Sequence, residues 1–270
     1  MNRTGDMTTA MTAPGSSTEG AGLTRTIATF GLLLGVAAVL LLAAGPFGWR
    51  FRWWSFRVAF TTLMPDAFYC GLGAVVVSLI AIAGSLGRRA RGSIAGAGLG
   101  LVLGAVAAYF PWHASEMRGV YPPMHDITTD AANPPSFDFA AGMRVAEHGA
   151  GVAYPSEAAA IQQKYYPGIE PALLNVPPAQ AFDRALAVVK GKGWTIVKSD
   201  PEAGVIDAYD RSFWFGFADD VAIRVTAGDP RDPNRSRVDI RSGSRQGRGD
   251  FGVNAARVRG FLAALKEKSS

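Results

Sequence analysis

The sequence predicts a membrane protein with three N-terminal transmembrane α-helices followed by a C-terminal two-layer α+β domain, in the order helix, four-stranded antiparallel sheet, helix. Three observations predict this class. Residues 1–115 hold eight Arg, no Lys and three acids, whereas residues 116–270 hold 19 basic and 19 acidic side chains. The first part contains three long stretches without any charge. Helical and strand periodicities follow one another in the second part.

The N-terminal region predicts a tail followed by a membrane domain. Residues 1–22 are rich in Thr, Ala, Gly and Ser without an apolar period, which is typical of a disordered tail. Each charge-free stretch that follows is long enough to cross a bilayer. We therefore expect a membrane domain over residues 23–115, with spans at about residues 26–45, 67–87 and 92–112. The small residues that end the first span leave its cleavage open, although a retained anchor is favoured.

The composition of the spans predicts how they pack and what they cannot do. No charged side chain lies inside a span, so the sequence offers no candidate for a proton relay or an ion path. The third span carries small residues at four-residue spacing, which predicts close helix packing within the chain rather than a dimer seam. These small residues are Gly92, Gly96, Gly100, Gly104 and Ala108. The single cysteine, Cys70, cannot form an intrachain disulfide.

Orientation is predicted from the shortest loop, which contains Arg88, Arg89 and Arg91. Short basic loops face the cytoplasm, so we expect the C-terminal domain on the outer side of the inner (cytoplasmic) membrane, facing the periplasm or the cell exterior. The basic and aromatic segment over residues 49–57 lies after the first span and argues for the opposite orientation. It is also typical of a segment at headgroup level.

The polar half predicts one folded domain after a linker. Residues 116–175 are rich in Pro and predict irregular structure. Residues 176–270 predict the α+β domain, because a helix opens at Pro177-Pro178 and a final helix spans residues 252–266, with Asp250 as its cap. The four strand-like runs between these helices cover residues 194–198, 205–209, 221–225 and 237–241.

Alternation in the last two strands assigns their faces. Val221, Ile223 and Val225 share one side of their strand and Arg224 points to the other, so we expect the two helices to cover one face and to leave the other face charged and uncovered. Trp214, in the segment before these strands, is expected in the core.

A cluster of basic residues is expected to lie largely on the charged, uncovered face of the sheet. Guanidinium groups suit carboxylate or phosphate partners, which makes a basic cluster there the strongest binding candidate. The alternative is a solvated face on which the same charges form ion pairs. The basic cluster comprises Arg224, Arg237, Arg241, Arg245 and Arg248. The residues selected as ligand-binding candidates are Arg224, Arg241, Arg245, Asp126 and Asp250.

The sequence gives little support for catalysis, for a metal or cofactor site, or for nucleic-acid binding. Asp219 and Asp220 are strand neighbours that point to opposite faces, so they cannot flank one bond together; we expect Asp220 near Arg224 instead. No metal-ligand spacing and no cofactor motif is present, so we assign no metal, no cofactor and no catalytic residue. The balanced charge of the second half argues against nucleic acid as a partner.

Several ordered motifs in the second half carry a family resemblance. The residues from about Tyr121 to Leu265 resemble the domain-of-unknown-function 1499 family. The resemblance implies no activity and no catalytic residues. It rests on residues 125–130, 133–137, 166–167, 193–194, 200–201, 214–220 and 237–242, and on Ser244, Arg245, Gly247, Asp250, Gly252, Asn254, Ala255, Arg257 and Arg259.

These observations together lead to two functional hypotheses. We expect an integral membrane protein whose extracytoplasmic α+β module is a non-enzymatic envelope binding or interaction protein. The alternative is an enzyme on an anionic envelope substrate, with Arg241 and Arg245 as a clamp and Asp126 or Asp250 as a general acid or base. The expected partners are the lipid bilayer and an envelope protein or an anionic ligand.

Overall fold

The chain divides into two compact units. The computed structural model describes residues 16–86, 91–229 and 231–267. The units are Met1–Ser115 and Glu116–Ser270. Their boundary coincides with the predicted end of the membrane domain. The second unit, however, includes residues 116–175, which the sequence predicts to be a separate irregular segment.

The first unit consists of long apolar helices. Three continuous helical stretches, Gly20–Arg50, Phe56–Leu86 and Ile94–Val120, are long and apolar enough to cross a membrane, which suggests membrane association. The second stretch changes from α to π and back ahead of Pro65, which has no backbone N–H to donate. The elements are α1 (Ser16–Arg50), α2 (Phe56–Val58), a π-helical turn (Ala59–Leu63), α3 (Met64–Leu86), a 3₁₀ turn (Arg91–Ser93) and α4 (Ile94–Val120).

Two predictions about the first unit fall partly outside the described residues. Residues 1–15 of the predicted tail lie outside them, but residues 16–22 are helical rather than irregular. Helix propagation beyond the apolar span explains this, because each added residue gains a hydrogen bond once the helix is nucleated. Arg88 and Arg89 also lie outside the described residues, so the orientation of the spans stays a prediction.

Glycines bring the three long helices into backbone contact within one chain. A Cβ atom on Gly100 of α4 would lie 2.8 Å from the backbone of Gly31 in α1, and one on Gly104 would lie 2.6 Å from the carbonyl oxygen of Gly71 in α3. The buried positions of α4 are Ala97, Gly100, Gly104 and Ala107, whereas Gly96 is open. A strict four-residue row drifts by about 40° per step on a helix, so the contact follows a spacing of three and four instead.

The second unit is built around a six-stranded antiparallel sheet. The strand order is β1-β6-β5-β4-β3, and β2 also pairs with β6. The strands are β1 (Asp126–Thr128), β2 (Ala172–Leu174), β3 (Thr195–Asp200), β4 (Val205–Arg211), β5 (Ala218–Asp229) and β6 (Asp232–Ser244). The helical elements are a 3₁₀ turn (Asp138–Ala140), α5 (Ala141–Ala146), α6 (Ala158–Tyr165), α7 (Pro178–Gly191) and α8 (Val253–Glu267).

The predictions of four strands and of an irregular segment over residues 116–175 are both wrong. That segment contributes β1 and β2, each three residues long, and both pair with β6 far along the chain. Strands of this length are too short to show an alternating pattern. Gln162 of α6 covers the outer edge of β1, since its amide accepts a hydrogen bond from the Thr128 backbone N–H (2.9 Å) and donates one to the Thr128 carbonyl (2.7 Å).

One face of the sheet packs on α7 and α8, as the alternation predicts. Val221, Ile223 and Ile240 are fully buried in the core cluster. Phe182 of α7 and Phe261 of α8 join them from the helical layer. At about 1.5–3 kcal/mol for each large apolar side chain removed from water, burial in this layer strongly favours folding of the unit.

The other face of the sheet is covered, contrary to the prediction. The chain between β1 and α6 lies across it, and Phe137 and Ala140 pack with Ala222 of β5 in a second core cluster. The domain therefore has a third, thin layer over its charged face. Period-two alternation identifies the two faces of a strand but does not say what covers each of them.

The β4–β5 loop is exposed, so the expected core position of Trp214 is wrong. The Trp214 side chain is 62% exposed and that of Phe213 is 83% exposed. Phe215 and Phe217 are half-buried and stack on each other with ring centroids 4.9 Å apart. The loop points outward because the strands it connects are already paired along their full length up to Arg211 and Ala218.

Candidate functional site

The covered, charged face of the sheet contains most of the residues selected from the sequence. At its centre, Arg241 of β6 and Asp126 of β1 form a two-pronged ion pair. Arg241 donates from Nε to Oδ1 (2.9 Å) and from Nη2 to Oδ2 (2.7 Å) of Asp126. Its remaining hydrogen bonds go to the carbonyls of Pro135 and Val152, and its guanidinium lies 4.1 Å from the ring centroid of Phe137. Arg241 is therefore held on all sides by the chain itself.

A second buried ion pair network joins Arg245 to the covering segment. Asp220 of β5 is fully buried and accepts hydrogen bonds from Arg245 (2.7 Å) and from Arg144 of α5 (2.8 Å). Glu147 accepts one from the other side of Arg245 at 2.9 Å. Asp220 therefore pairs with Arg144 and Arg245, and not with Arg224 as the sequence analysis expects. The network fastens α5 to the sheet.

The third network lies where the charged face opens towards solvent. Arg224 donates to Asp130 (3.3 Å) and Asp239 (3.2 Å), and Arg237 donates to the same two carboxylates at 2.9 and 3.0 Å. The side chains of Arg224 and Arg237 are 23% and 37% exposed. This is the part of the cluster that matches the alternative of an ion-paired, solvated face.

The pKa shifts show how closely these charges compensate one another. Burial lowers the pKa of Arg144, because the attraction of Asp220 only partly offsets the loss of water. Burial acts on Arg245 in the same direction, but Asp220 and Glu147 together outweigh it and raise the Arg245 pKa. Burial also opposes ionisation of Glu147, yet hydrogen bonds from Gln246 and Arg211 hold its pKa below the ordinary value. All three groups stay charged at neutral pH.

The charge balance of the face determines its chemistry. In the two buried networks, Arg144, Arg241 and Arg245 face the three carboxylates of Asp126, Glu147 and Asp220, and the exposed Arg211 also bonds to Glu147 from outside. An anionic ligand would have to replace one of these carboxylates. The geometry is that of an internal structural network, which contradicts the expectation that Arg241 and Arg245 are surface positions. Arg248 of the original cluster is exposed in the loop after β6.

Asp250 lies in a different environment from Asp126. Its carboxylate accepts hydrogen bonds from the backbone N–H groups of Gly252 (2.9 Å) and Asn254 (2.7 Å), so it caps α8 as the sequence predicts. Burial raises its pKa despite these bonds. Asp126 pairs with Arg241 on the charged face, whereas Asp250 belongs to the helical layer. The two carboxylates do not share partners.

The opposite orientation of Asp219 and Asp220 is confirmed. Asp220 points to the charged face, whereas Asp219 bonds to Arg257 of α8 at 2.8 Å. Asp210 lies directly across the strand pair from Asp219 and bonds to the same guanidinium at 3.1 Å. Arg257 thus compensates the charges of Asp210 and Asp219, which would otherwise repel each other across β4 and β5.

Sequence reasoning missed three residues of the charged face. Arg144 and Glu147 lie in a segment of weak periodicity, and no local pattern links them to β5 or β6. Asp207 of β4 is 6% exposed, and burial raises its pKa to about 6. The only sequence feature that could have identified Asp207 is its place as an acidic residue in the interior of a strand. Within residues 16–86, 91–229 and 231–267, no group of three or more His, Cys, Asp or Glu is placed to hold a metal ion.

Comparison with known proteins agrees with the family resemblance. No curated protein matches the sequence. The family profile described as a protein of unknown function (DUF1499) matches residues 126–265, which begin at the first residue of β1 and end within α8. The matched region contains the six described strands and every charged residue that the three networks of the charged face use. Since this match covers more than half of the chain, the protein belongs to the DUF1499 family.

Proposed function

We propose that this protein is a membrane-anchored, non-enzymatic interaction module whose α+β domain lies on the outer side of the cytoplasmic membrane and binds another component of the envelope. The observation that carries the proposal is the closed pairing of Arg241 with Asp126. An enzyme on an anionic substrate would need Arg241 free to bind it and an acid beside it to transfer a proton. Asp126 is already committed to Arg241, and Asp250 to α8.

The anchor supports the same proposal. Three helices long enough to cross a membrane precede the domain, and a charged residue is lacking from the centre of each. They therefore offer no route for ions or protons and serve best as a support. The orientation follows from the predicted cytoplasmic position of the basic loop between the second and third spans.

The alternative function, an enzyme, requires the ion pair of the charged face to open. A catalytic Arg241 would have to leave Asp126 when substrate arrives, which would leave a buried carboxylate without its counter-charge. An interaction module needs only that the face stay closed and hold its outer surface rigid. The two functions therefore differ in whether the Arg241–Asp126 pair opens.

The test has a topology arm and a binding arm. A reporter enzyme that is active only outside the cytoplasm, fused after Ser270, is expected to be active; activity of a cytoplasmic reporter at that point instead would overturn the proposed location. In cells, photo-crosslinking amino acids placed one at a time on exposed positions of the domain are expected to give a discrete adduct from one face. Absence of adducts from every exposed face would overturn the interaction role.

A further inference from the structure

The β4–β5 loop presents two large aromatic side chains on a rigid support. The backbone closes on itself, because the Ser212 N–H donates to the Phe217 carbonyl at 2.9 Å and the Gly216 N–H donates to the Ser212 carbonyl at 2.9 Å. Arg211 donates to the Gly216 carbonyl at 3.0 Å. Gly216 has a φ of +66°, which favours glycine at this turn. The exposed rings of Phe213 and Trp214 therefore lie on an ordered loop. A binding partner could bury both rings without the entropic cost of ordering the loop first.

The loop lies at the end of the sheet where the chain enters the domain. β1 and β5 both run antiparallel to β6, so they start at the same end. Asp126, the first residue of β1, and Asp220, near the start of β5, both align with Gly243 of β6. Two strand spacings, about 10 Å, thus separate the point of entry from the strand that follows the loop.

The entry point is tied closely to the last apolar helix. α4 ends at Val120 and β1 begins at Asp126. The five residues between them can span about 20 Å at full extension. A bilayer that contains α4 is consequently always within reach of this end of the sheet, whereas a partner protein would have to arrive by diffusion.

The side chains around the loop suit a lipid headgroup region. Trp and Phe next to a guanidinium are the typical composition of the membrane interface. Arg211, at the base of the loop, is 47% exposed and also bonds to Glu147 at 3.0 Å, so that carboxylate is compensated. Residues 211–218 contain no acid. The acids that flank the loop, Asp210 and Asp219, are both bonded to Arg257, which weakens their repulsion of an anionic lipid from this side.

From these observations we propose that the β4–β5 loop inserts Phe213 and Trp214 into the headgroup region of the bilayer that holds the three apolar helices, and so fixes the α+β domain on that surface. This inference rests on the proposed membrane anchoring. It names lipid as the component that this face of the domain contacts.

The test uses the full chain in vesicles of phosphatidylcholine with a minor fraction of phosphatidylglycerol. Cys70→Ser removes the native thiol, and Val253→Cys carries an environment-sensitive fluorophore. Val253 is 48% exposed and opens α8, and the next residue, Asn254, bonds to Ser244, where β6 ends at the same end of the sheet as the loop. Spin-labelled lipids are expected to quench this fluorophore several-fold more strongly than one attached at Leu173→Cys. Leu173 is 67% exposed but aligns with Arg237, about 20 Å further along β6.

Substitutions in the loop then test whether Phe213 and Trp214 cause the quenching. Phe213→Ser with Trp214→Ser is expected to abolish most of the quenching at position 253, and Val197→Ser, which removes an exposed apolar side chain from β3, is expected to preserve it. Equal quenching at positions 253 and 173, or quenching that survives the double substitution, would overturn the inference.

Energy transfer between labelled copies, in place of lipid quenching, would show that the loop binds a second copy, and would also overturn the inference. The vesicle result does not depend on which side of the membrane the domain occupies. Failure of the lipid contact is therefore distinguishable from failure of the proposed location, which the Ser270 reporter measures.

Discussion

Arg241 and Asp126 form a closed, two-pronged ion pair across β6 and β1, with Arg241 only 2% and Asp126 only 6% exposed. The pair joins two residues that are 115 positions apart in the chain. It fastens the short first strand to the longest strand of the sheet. Its contribution is best measured by breaking it from one side and then replacing both partners.

The first prediction concerns Arg241→Ala. This substitution leaves Asp126 buried without its counter-charge, so we expect the free energy of unfolding of the domain to fall by about 3–5 kcal/mol. This is far more than the roughly half a kcal/mol typical of a surface site. Hydrogen exchange of the β1 and β6 amides, measured on the detergent-solubilised full chain, reports the loss.

Two further variants control this result. Arg248→Ala removes an exposed arginine and is expected to leave exchange unchanged. The double variant Asp126→Leu with Arg241→Met replaces the pair by apolar side chains and should recover most of the lost stability. An Arg241→Ala protein as stable as Arg248→Ala would show that the pair is not structural.

The second prediction concerns Gln162, whose side-chain amide bonds to the outer edge of β1 as a neighbouring strand would. Gln162→Ala leaves the N–H and the carbonyl of Thr128 without partners in a buried position, at a cost of about 1–3 kcal/mol. We expect faster exchange of the Thr128 amide. The adjacent Gln163 is exposed, so Gln163→Ala is a matched control that should leave this amide unchanged. Equal protection of Thr128 in both variants would contradict the role of Gln162.

The helical layer could be predicted from sequence, and the charged layer could not, for a physical reason. Val221, Ile223 and Val225 alternate locally, and the partners that bury them are helices with their own periodicity. Arg241 and Arg245 occupy the opposite face of the same pattern, which normally means solvent. They are buried because residues 135–152, a stretch without a clear period, fold over them. Only tertiary structure reveals such a cover.

The third prediction concerns the pH dependence that Asp207 causes. Burial raises its pKa to about 6; Lys198 opposes this rise and Asp138 adds to it. The unfolded chain has the ordinary value near 4. The folded state therefore holds the proton more tightly between these values, so the stabilisation is complete below about pH 4 and is lost as pH rises through about 6.

We therefore expect hydrogen exchange of β4 to accelerate as the pH rises through this window, after correction for the intrinsic exchange rate. Asp207→Asn should remove the dependence and make the domain about 1 kcal/mol more stable at neutral pH, because solvent partly screens the Asp207 charge. Asp229→Asn, at the end of β5, provides a comparison. An unchanged pH profile in Asp207→Asn would assign the titration to another group.

The fourth prediction concerns the helix crossing at Gly100. A methyl group there would lie 2.8 Å from backbone atoms of Gly31 and Leu32 in α1, and these atoms cannot move aside as a flexible side chain could. Gly100→Ala is therefore expected to force α1 and α4 apart and to cost about 1–3 kcal/mol, typical of overpacking. Loss of helical circular dichroism on titration with a denaturing detergent measures the change.

Gly98 provides the matched control on the same helix, because a Cβ atom there meets nothing within 4 Å. Gly98→Ala should be neutral or slightly stabilising, since alanine favours the helix over glycine by about 1 kcal/mol. Helix propensity acts equally at both positions, so the difference between the two variants isolates the crossing. If Gly100→Ala resisted detergent as well as Gly98→Ala does, the helices would not be in backbone contact at Gly100, and the small residues of α4 would have to serve another contact.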